Sequence, residues 1–162
     1  MKKLYIIRHA KSSWTDMTLN DFERPLNKRG EEGAPFMAKE LKSKNIMPDM
    51  ILSSPALRAK TTAETITGTI GFFKEIVFKE NIYEASAETL HEILKSVDDE
   101  NATLFLVGHN PGLNALAERY VGFHENIPTT GIVEIEFDCS KWSEISPKNA
   151  KLISFDYPKR YK

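Results

Sequence analysis

Leu4-Tyr5-Ile6-Ile7-Arg8-His9-Ala10-Lys11 governs how the rest of the chain is read. Four apolar residues rich in β-formers run straight into a guanidinium and an imidazole. A buried strand that ends this way hands a cation and a histidine to the edge of a sheet. The segment is too short to be anything else of note. Met1-Lys2-Lys3 before Leu4–Ile7 has the outline of a signal peptide, but a signal core needs about 7–15 apolar residues and a membrane span about 20.

Outward from this stretch, strands alternate with helices. A polar, irregular segment from Lys11 to Asn27 carries Trp14, Phe22 and Asp21-Phe22-Glu23-Arg24-Pro25-Leu26, and a loop of that length inside a small domain reads as functional. Ala34, Met37, Ala38 and Leu41 then follow helical spacing, with Gly30, Gly33 and Pro35 predicting a kink or a split in the first half. Met50–Ser53 predicts a second strand. Ser54-Pro55 reads as the cap and first position of a helix that ends near Thr67, at Gly68. Glu75–Lys79 predicts a strand, and Ser86 caps a helix with Leu90, Ile93, Leu94 and Val97 on its apolar face. Thr103–Val107, continuously apolar, predicts a strand buried on both faces. Asn110-Pro111 reads as the start of a helix bearing Leu113, Leu116, Ala117 and Tyr120. Ile132–Phe137 and Leu152–Phe155 predict two late strands with no helix between them, so part of the sheet is antiparallel. The pattern predicts an α/β fold of three layers, α/β/α, around a mostly parallel mixed sheet. With no linker or repeat, all 162 residues are expected to form one domain.

Composition narrows the function. Lys and Arg number 22 against 23 Asp and Glu, a formal net charge of −1, which argues against nucleic-acid or membrane-surface partners. The single cysteine, Cys139, cannot form an internal disulfide and suits a reducing compartment, so a cytoplasmic location is expected. Position 145, where a cysteine phosphatase would need an arginine, is isoleucine. No Walker A loop and no Gly-x-Gly-x-x-Gly supports a nucleotide cofactor, and the four histidines lack metal-ligand spacing.

In open α/β sheets, ligands sit beyond the carboxyl ends of the strands. Here one strand ends in Arg8-His9, a second in Ser53-Ser54 with Arg58 following, and a third in Gly108-His109. Two imidazoles and two guanidiniums therefore share one edge near helix N-termini, a donor set suited to a phosphoryl group. A neutral imidazole nitrogen is a competent nucleophile toward phosphorus, with cations dispersing the charge. Alone, Arg8-His9 reads equally as a structural strand end; the matching strand ends favour chemistry. Arg24 reads either as a pocket member or as an ion-pair partner of Glu23 or Asp21. His91, beside its helix's apolar face, reads as solvated, and His124 as structural or exposed. Phe72, Phe73, Phe105 and Phe155 read as core. Lys11, Lys159, Arg160 and Lys162 read as solvating charges that could add positive potential near the pocket.

Arg8-His9-Ala10 resembles the Arg-His-Gly/Ala signature of the histidine phosphatase superfamily, which includes the phosphoglycerate mutases. Arg24-Pro25-Leu26, Ser53-Ser54-Pro55 through Arg58 with Thr61 and Thr62, and Gly108-His109 follow in that family's order. The short chain, Asp21 through Leu26, and Thr129-Thr130-Gly131 before a strand are similar to the SixA-like phosphohistidine phosphatase branch. The resemblance implies a phosphatase with His9 as nucleophile, Arg8, Arg58 and His109 holding the phosphoryl group, Arg24 joining them, and neither metal nor cofactor. Its substrate would be a phosphorylated protein or a small phosphorylated compound. Members that cleave esters usually carry a proton-donating carboxylate; Glu84 stands at about that place, as an acid or as a solvated residue before a helix. The competing readings are a phosphomonoesterase for small metabolites and a non-catalytic phosphate-binding module.

Overall fold

The computed structural model describes residues 1–161; Lys162, named above with the basic tail, lies outside the described residues. Its elements in chain order are β1 (Lys2–Arg8), α1 (Lys28–Ser43), β2 (Met50–Ser53), α2 (Leu57–Ile70), β3 (Val77–Phe78), α3 (Ala87–Lys95), β4 (Thr103–Gly108), α4 (Gly112–Val121), β5 (Ile132–Phe137) and β6 (Ala150–Asp156). They form a mixed sheet in the order β3-β2-β4-β1-β5-β6. β3, β2, β4 and β1 pair in parallel, while β5 runs antiparallel to both β1 and β6. This is the three-layer mixed fold that the sequence predicts.

The two central strands explain why. Strand side chains alternate between faces, so Leu4 and Ile6 of β1 and Leu104 and Leu106 of β4 pack on one side against α3 and α4. Tyr5, Ile7, Phe105 and Val107 pack on the other side against α1 and α2. All eight are buried, and each such apolar side chain contributes about 1.5–3 kcal/mol of transfer free energy. Among the described residues, no helix is long and apolar enough to cross a membrane.

Several local expectations are corrected. Helix α1 runs unbroken through Pro35, because the carbonyl deprived of its donor belongs to exposed Glu31. Helix α2 passes Gly68 and ends at Gly71, which takes a left-handed φ of 79° as the cap. Ser54 and Pro55 precede α2, whose cap position is Ala56. Pro111 likewise precedes α4, in a cis peptide with Asn110. β3 is only Val77–Phe78, a short edge strand, and β6 is longer than Leu152–Phe155. Phe73 is 93% exposed, so the core aromatics include Phe72 and Phe105 but not Phe73.

The long segment after β1 is organised. An antiparallel bridge between Ser12 and Leu26 ties its ends, and Asn27 N–H donates to the Lys11 carbonyl. Asp21–Glu23 forms a 3-10 turn closed by a reciprocal Asn20–Glu23 capping box. The result is a compact surface loop that lifts Asp21 and Arg24 over the end of β1.

Candidate active site

Register places the strand ends level with one another. Arg8 lies opposite Gly108 across the β1–β4 pair, and Ser53 opposite Val107 across the β2–β4 pair. The next residues along, His9, Ser54 and His109, therefore meet at one edge. All three are buried. His9 and His109 open into a cavity of about 420 Å³ whose walls also include Arg8, Arg24, Arg58, Asp21, Tyr83 and Glu84. The sequence-predicted residues are thus brought together in full.

His9 is held in one tautomer. Its Nδ1 lies 2.7 Å from the Ala10 carbonyl, which can only accept, so the proton sits on Nδ1 and Nε2 keeps its lone pair. Nε2 has no hydrogen-bond partner among the described residues. The backbone is fixed as well: His9 N–H donates to the Gly108 carbonyl, and Thr130 N–H donates to both the Arg8 and His9 carbonyls. Thr130 does this at a φ of 60°, a strained conformation for a β-branched residue that costs about 1–3 kcal/mol. Glu84, on the cavity wall, also has a left-handed φ, 58°.

The second imidazole faces the first, ring centroids 5.1 Å apart. His109 Nε2 lies 2.7 Å from the Ser54 hydroxyl, and that oxygen already accepts the Ala56 N–H. When the hydroxyl donates to Nε2, the imidazole proton sits on Nδ1. Burial, with Arg58, Arg8 and Arg24 adding to it and the Ala10 carbonyl opposing, pushes His9 down to about 4. Burial and the neighbouring His9 and Arg58 push His109 down to about 3. Both rings are therefore neutral at physiological pH. Since these values lie below the ordinary 6.5, the stability linked to the neutral rings is fully present above pH 6.5 and is lost as pH falls toward the folded values. Imidazole NMR in phosphate-free buffer should show both rings neutral at about pH 5.5, below the midpoint of an ordinary histidine. A midpoint near the ordinary value for His9 would contradict the buried, cation-flanked ring.

Asp21 organises the arginines. Its backbone carbonyl accepts from Arg58 at 2.6 Å, and its Oδ2 accepts from Arg58 at 2.9 Å and from the Tyr83 hydroxyl. Its Oδ1 takes both Nε and a terminal nitrogen of Arg24, at 3.1 and 3.0 Å. Burial raises the Asp21 carboxyl, but the bonds from Tyr83, Arg58 and Arg24 outweigh it and hold the group at about 2. Arg24 is further held by the Ser12 hydroxyl and by Trp14, whose ring lies 3.4 Å below the guanidinium. Arg24 is both an ion-pair partner and a wall of the cavity. Arg8 donates to the Ile127 carbonyl. The cavity thus gathers four cations, Arg8, Lys11, Arg24 and Arg58, against two carboxylates, Asp21 and Glu84.

Three buried side-chain nitrogens are left without a hydrogen-bond partner among the described residues: Arg8 Nε, Arg58 Nε and His109 Nδ1. All three belong to this cavity. An unsatisfied buried donor costs about 1–3 kcal/mol, and here three such nitrogens are carried by side chains of one cavity wall. Among the described residues, no group of three or more His, Cys, Asp or Glu side chains is placed to hold a metal ion.

Residues 4–102 match the sequence profile described as the histidine phosphatase superfamily (branch 1). The chain belongs to the histidine phosphatase superfamily. An uncharacterized chloroplastic protein of Arabidopsis thaliana is 30% identical, over 88% of this chain and 70% of that one. A structure from Agrobacterium tumefaciens described as a phosphohistidine phosphatase, SixA, is 29% identical, with a TM-score of 0.83 over 97% of this chain and 98% of that one. A protein histidine phosphatase SixA in complex with tungstate shares the fold, with a TM-score of 0.84, 19% identity and coverage of 99% of both chains. This chain is accordingly an enzyme, a phosphatase of the superfamily.

The candidate site involves residues that motif spacing does not reveal as such: Asp21 and Tyr83 on the cavity wall, and Ser54 against His109. Tyr83 reaches the cavity because α4 packs tightly on the loop after it. A Cβ added at Gly112 would lie 2.2 Å from the Ala85 carbonyl. Other histidines stand apart. His91 is buried, not solvated, because its Nδ1 lies 2.6 Å from the Tyr120 hydroxyl of α4. His124 is exposed beside Glu118.

Proposed function

We propose that this enzyme hydrolyses phosphohistidine on a phosphorylated protein through a covalent phosphohistidine intermediate on His9. The observation that carries the reading is the gathering of Arg8, Arg58 and His109, each with one buried nitrogen left without a partner, on one cavity wall with an imidazole whose Nε2 is unprotonated. His9 Nε2 attacks phosphorus as the bond to the substrate's imidazole breaks, and the departing imidazole takes a proton from solvent. Water then attacks the phosphoryl group on His9, releasing phosphate and restoring the lone pair. Arg8, Arg58, Arg24 and His109 stabilise the charge spread over the three equatorial oxygens in both steps. The substrate class is supported by the similarity to the SixA structure of 29% identity. The lone, half-buried Cys139 supports a cytoplasmic setting.

Mixing enzyme with a phosphohistidine peptide and quenching at high pH should trap an acid-labile, base-stable phosphoryl label on His9. A label on Cys139, or none with turnover proceeding, would sink the mechanism. Steady phosphate release from an aryl phosphate excludes a pure binding module.

A second reading, a phosphomonoesterase for small metabolites, is favoured by Glu84 alone. Its exposed carboxyl lines the cavity and could protonate an oxygen leaving group. Imidazole leaves more readily than an alkoxide, so Glu84→Gln should change phosphohistidine turnover only a few-fold while reducing alkyl phosphate turnover by about a hundredfold. Rates on both substrates check this. Equal small effects would make Glu84 a bystander.

A further inference from the structure

A second cavity, of about 450 Å³, adjoins the first and shares Arg8, Lys11 and Thr129 with it. Its outer wall brings together residues far apart in the chain: Lys11 after β1, Arg29 in the first turn of α1, and Lys159 in the 3-10 turn Pro158–Tyr161. We propose that this cavity is a subsite for an acidic segment of the phosphorylated protein substrate, seated beside the phosphohistidine. The proposal rests on the phosphohistidine reading of the catalytic cavity.

Charge is the first ground. Lys11, Arg29 and Lys159 are exposed, and among the described residues none has a carboxylate within ion-pair distance. Arg24, Arg58, Lys44, Lys95, Arg119 and Arg160, by contrast, are all paired. Glu32 is the one carboxylate in the wall, so the cations outnumber it even without Arg8.

The second ground is a broken local rule. The first turn of a helix carries the positive end of its dipole and favours acidic side chains. Helix α1 begins Lys28-Arg29 ahead of Glu31, the one acidic side chain of its first turn, so Arg29 itself stands where helix stability disfavours it. Such departures are expected where function holds a residue in place. The turn is also locked beside Lys11, since a Cβ added at Gly30 would lie 2.0 Å from the Lys11 carbonyl. The backbones that carry Lys11 and Arg29 are thereby held side by side on one rim.

The occupant follows from the surroundings. The mouth of the catalytic cavity is flanked by Trp14, 72% exposed, and Phe22, 38% exposed, whose ring packs on Tyr83. Aromatic rim and cationic groove together suit a protein surface, which can cover both at once, better than a metabolite. Side chains three or four residues apart on a helix lie about 5–6 Å from one another, so a phosphohistidine and a nearby Asp or Glu can enter adjoining cavities.

The test compares two synthetic phosphohistidine peptides, one flanked by Asp and Glu and one by Asn and Gln, with p-nitrophenyl phosphate as control. Wild-type enzyme at low salt should show a kcat/KM about tenfold higher for the acidic peptide, and the preference should shrink as salt rises. The exposed double variant R29Q/K159Q should lose that preference while p-nitrophenyl phosphate turnover stays unchanged and Tm does not fall. Equal kcat/KM for the two peptides in wild type, or an undiminished preference in the variant, would overturn the subsite. So would a loss confined to a small phosphate ester bearing a carboxylate, which would make the occupant a metabolite. Failure of the underlying reading looks different: p-nitrophenyl phosphate is hydrolysed and neither peptide is, which removes the subsite's occupant with it.

Discussion

His9→Ala should lower kcat/KM on both an aryl phosphate and a phosphohistidine peptide by about ten-thousandfold or more, the scale seen when a covalent nucleophile is removed. The fold should survive, because among the described residues the one side-chain hydrogen bond lost runs to the neighbouring Ala10 carbonyl. The strand itself is held by pairing to β4 and β5. Phosphate should still bind, since the unpartnered nitrogens of Arg8, Arg58 and His109 do not depend on the missing ring. The variant therefore separates binding from turnover. Steady-state rates together with inorganic phosphate binding by calorimetry check it. Near wild-type turnover would assign the nucleophile elsewhere, and loss of both turnover and phosphate binding would make His9 a structural residue.

The sheet and the gathering of the strand ends at one edge are legible in the sequence because both rest on short-range regularities. Continuous apolarity marks β1 and β4 as central, and residues immediately after a parallel strand fall on its functional edge whatever the tertiary detail. Arg8, His9 and His109 needed nothing more, and Arg58 needed only the helix that follows β2. Asp21 was different. Its motif was visible, but its task is to grip Arg24 and Arg58, and Arg58 lies 37 residues away. No spacing rule predicts that a surface loop folds back by exactly that reach, and the folding depends on the Ser12–Leu26 bridge.

Ambiguous local signals account for the misses. Ser54-Pro55 has the form of a helix cap, but the fold uses the Ser54 hydroxyl to orient His109, and α2 starts later. Gly68 has the form of a helix end, yet a glycine inside a helix costs only about 1 kcal/mol, and Gly71 offers the better stop. His91 sits at the margin of its helix's apolar face, and only the approach of Tyr120 from α4 decides its burial. Thr130 carries the reverse lesson. A β-branched residue at positive φ is invisible in sequence, yet its N–H fixes both Arg8 and His9.

Arg58→Ala should reduce kcat/KM by about a thousandfold, within the range for an arginine that stabilises a transferring phosphoryl group. The geometry gives the reason. One terminal nitrogen of Arg58 binds the Asp21 carbonyl and the other its carboxylate, which clamps the guanidinium plane and leaves Nε buried without a partner on the cavity. The rigid fork thus holds one donor free for an oxyanion at no further ordering cost. Removing it also leaves Asp21 less neutralised, so the carboxylate repels the phosphoryl group that Arg58 attracted. Arg58→Lys restores the charge but not the fork: an ammonium that stays on Asp21 cannot also present a fixed donor to phosphate. Its activity should remain within about tenfold of the alanine variant. Asp21→Asn, which keeps the loop but weakens the clamp, should lose less than Arg58→Ala. Comparing kcat/KM and inorganic phosphate affinity across the three variants resolves the roles. If Arg58→Lys kept near wild-type rates, a point charge would suffice, and the clamped guanidinium would have no part in the chemistry.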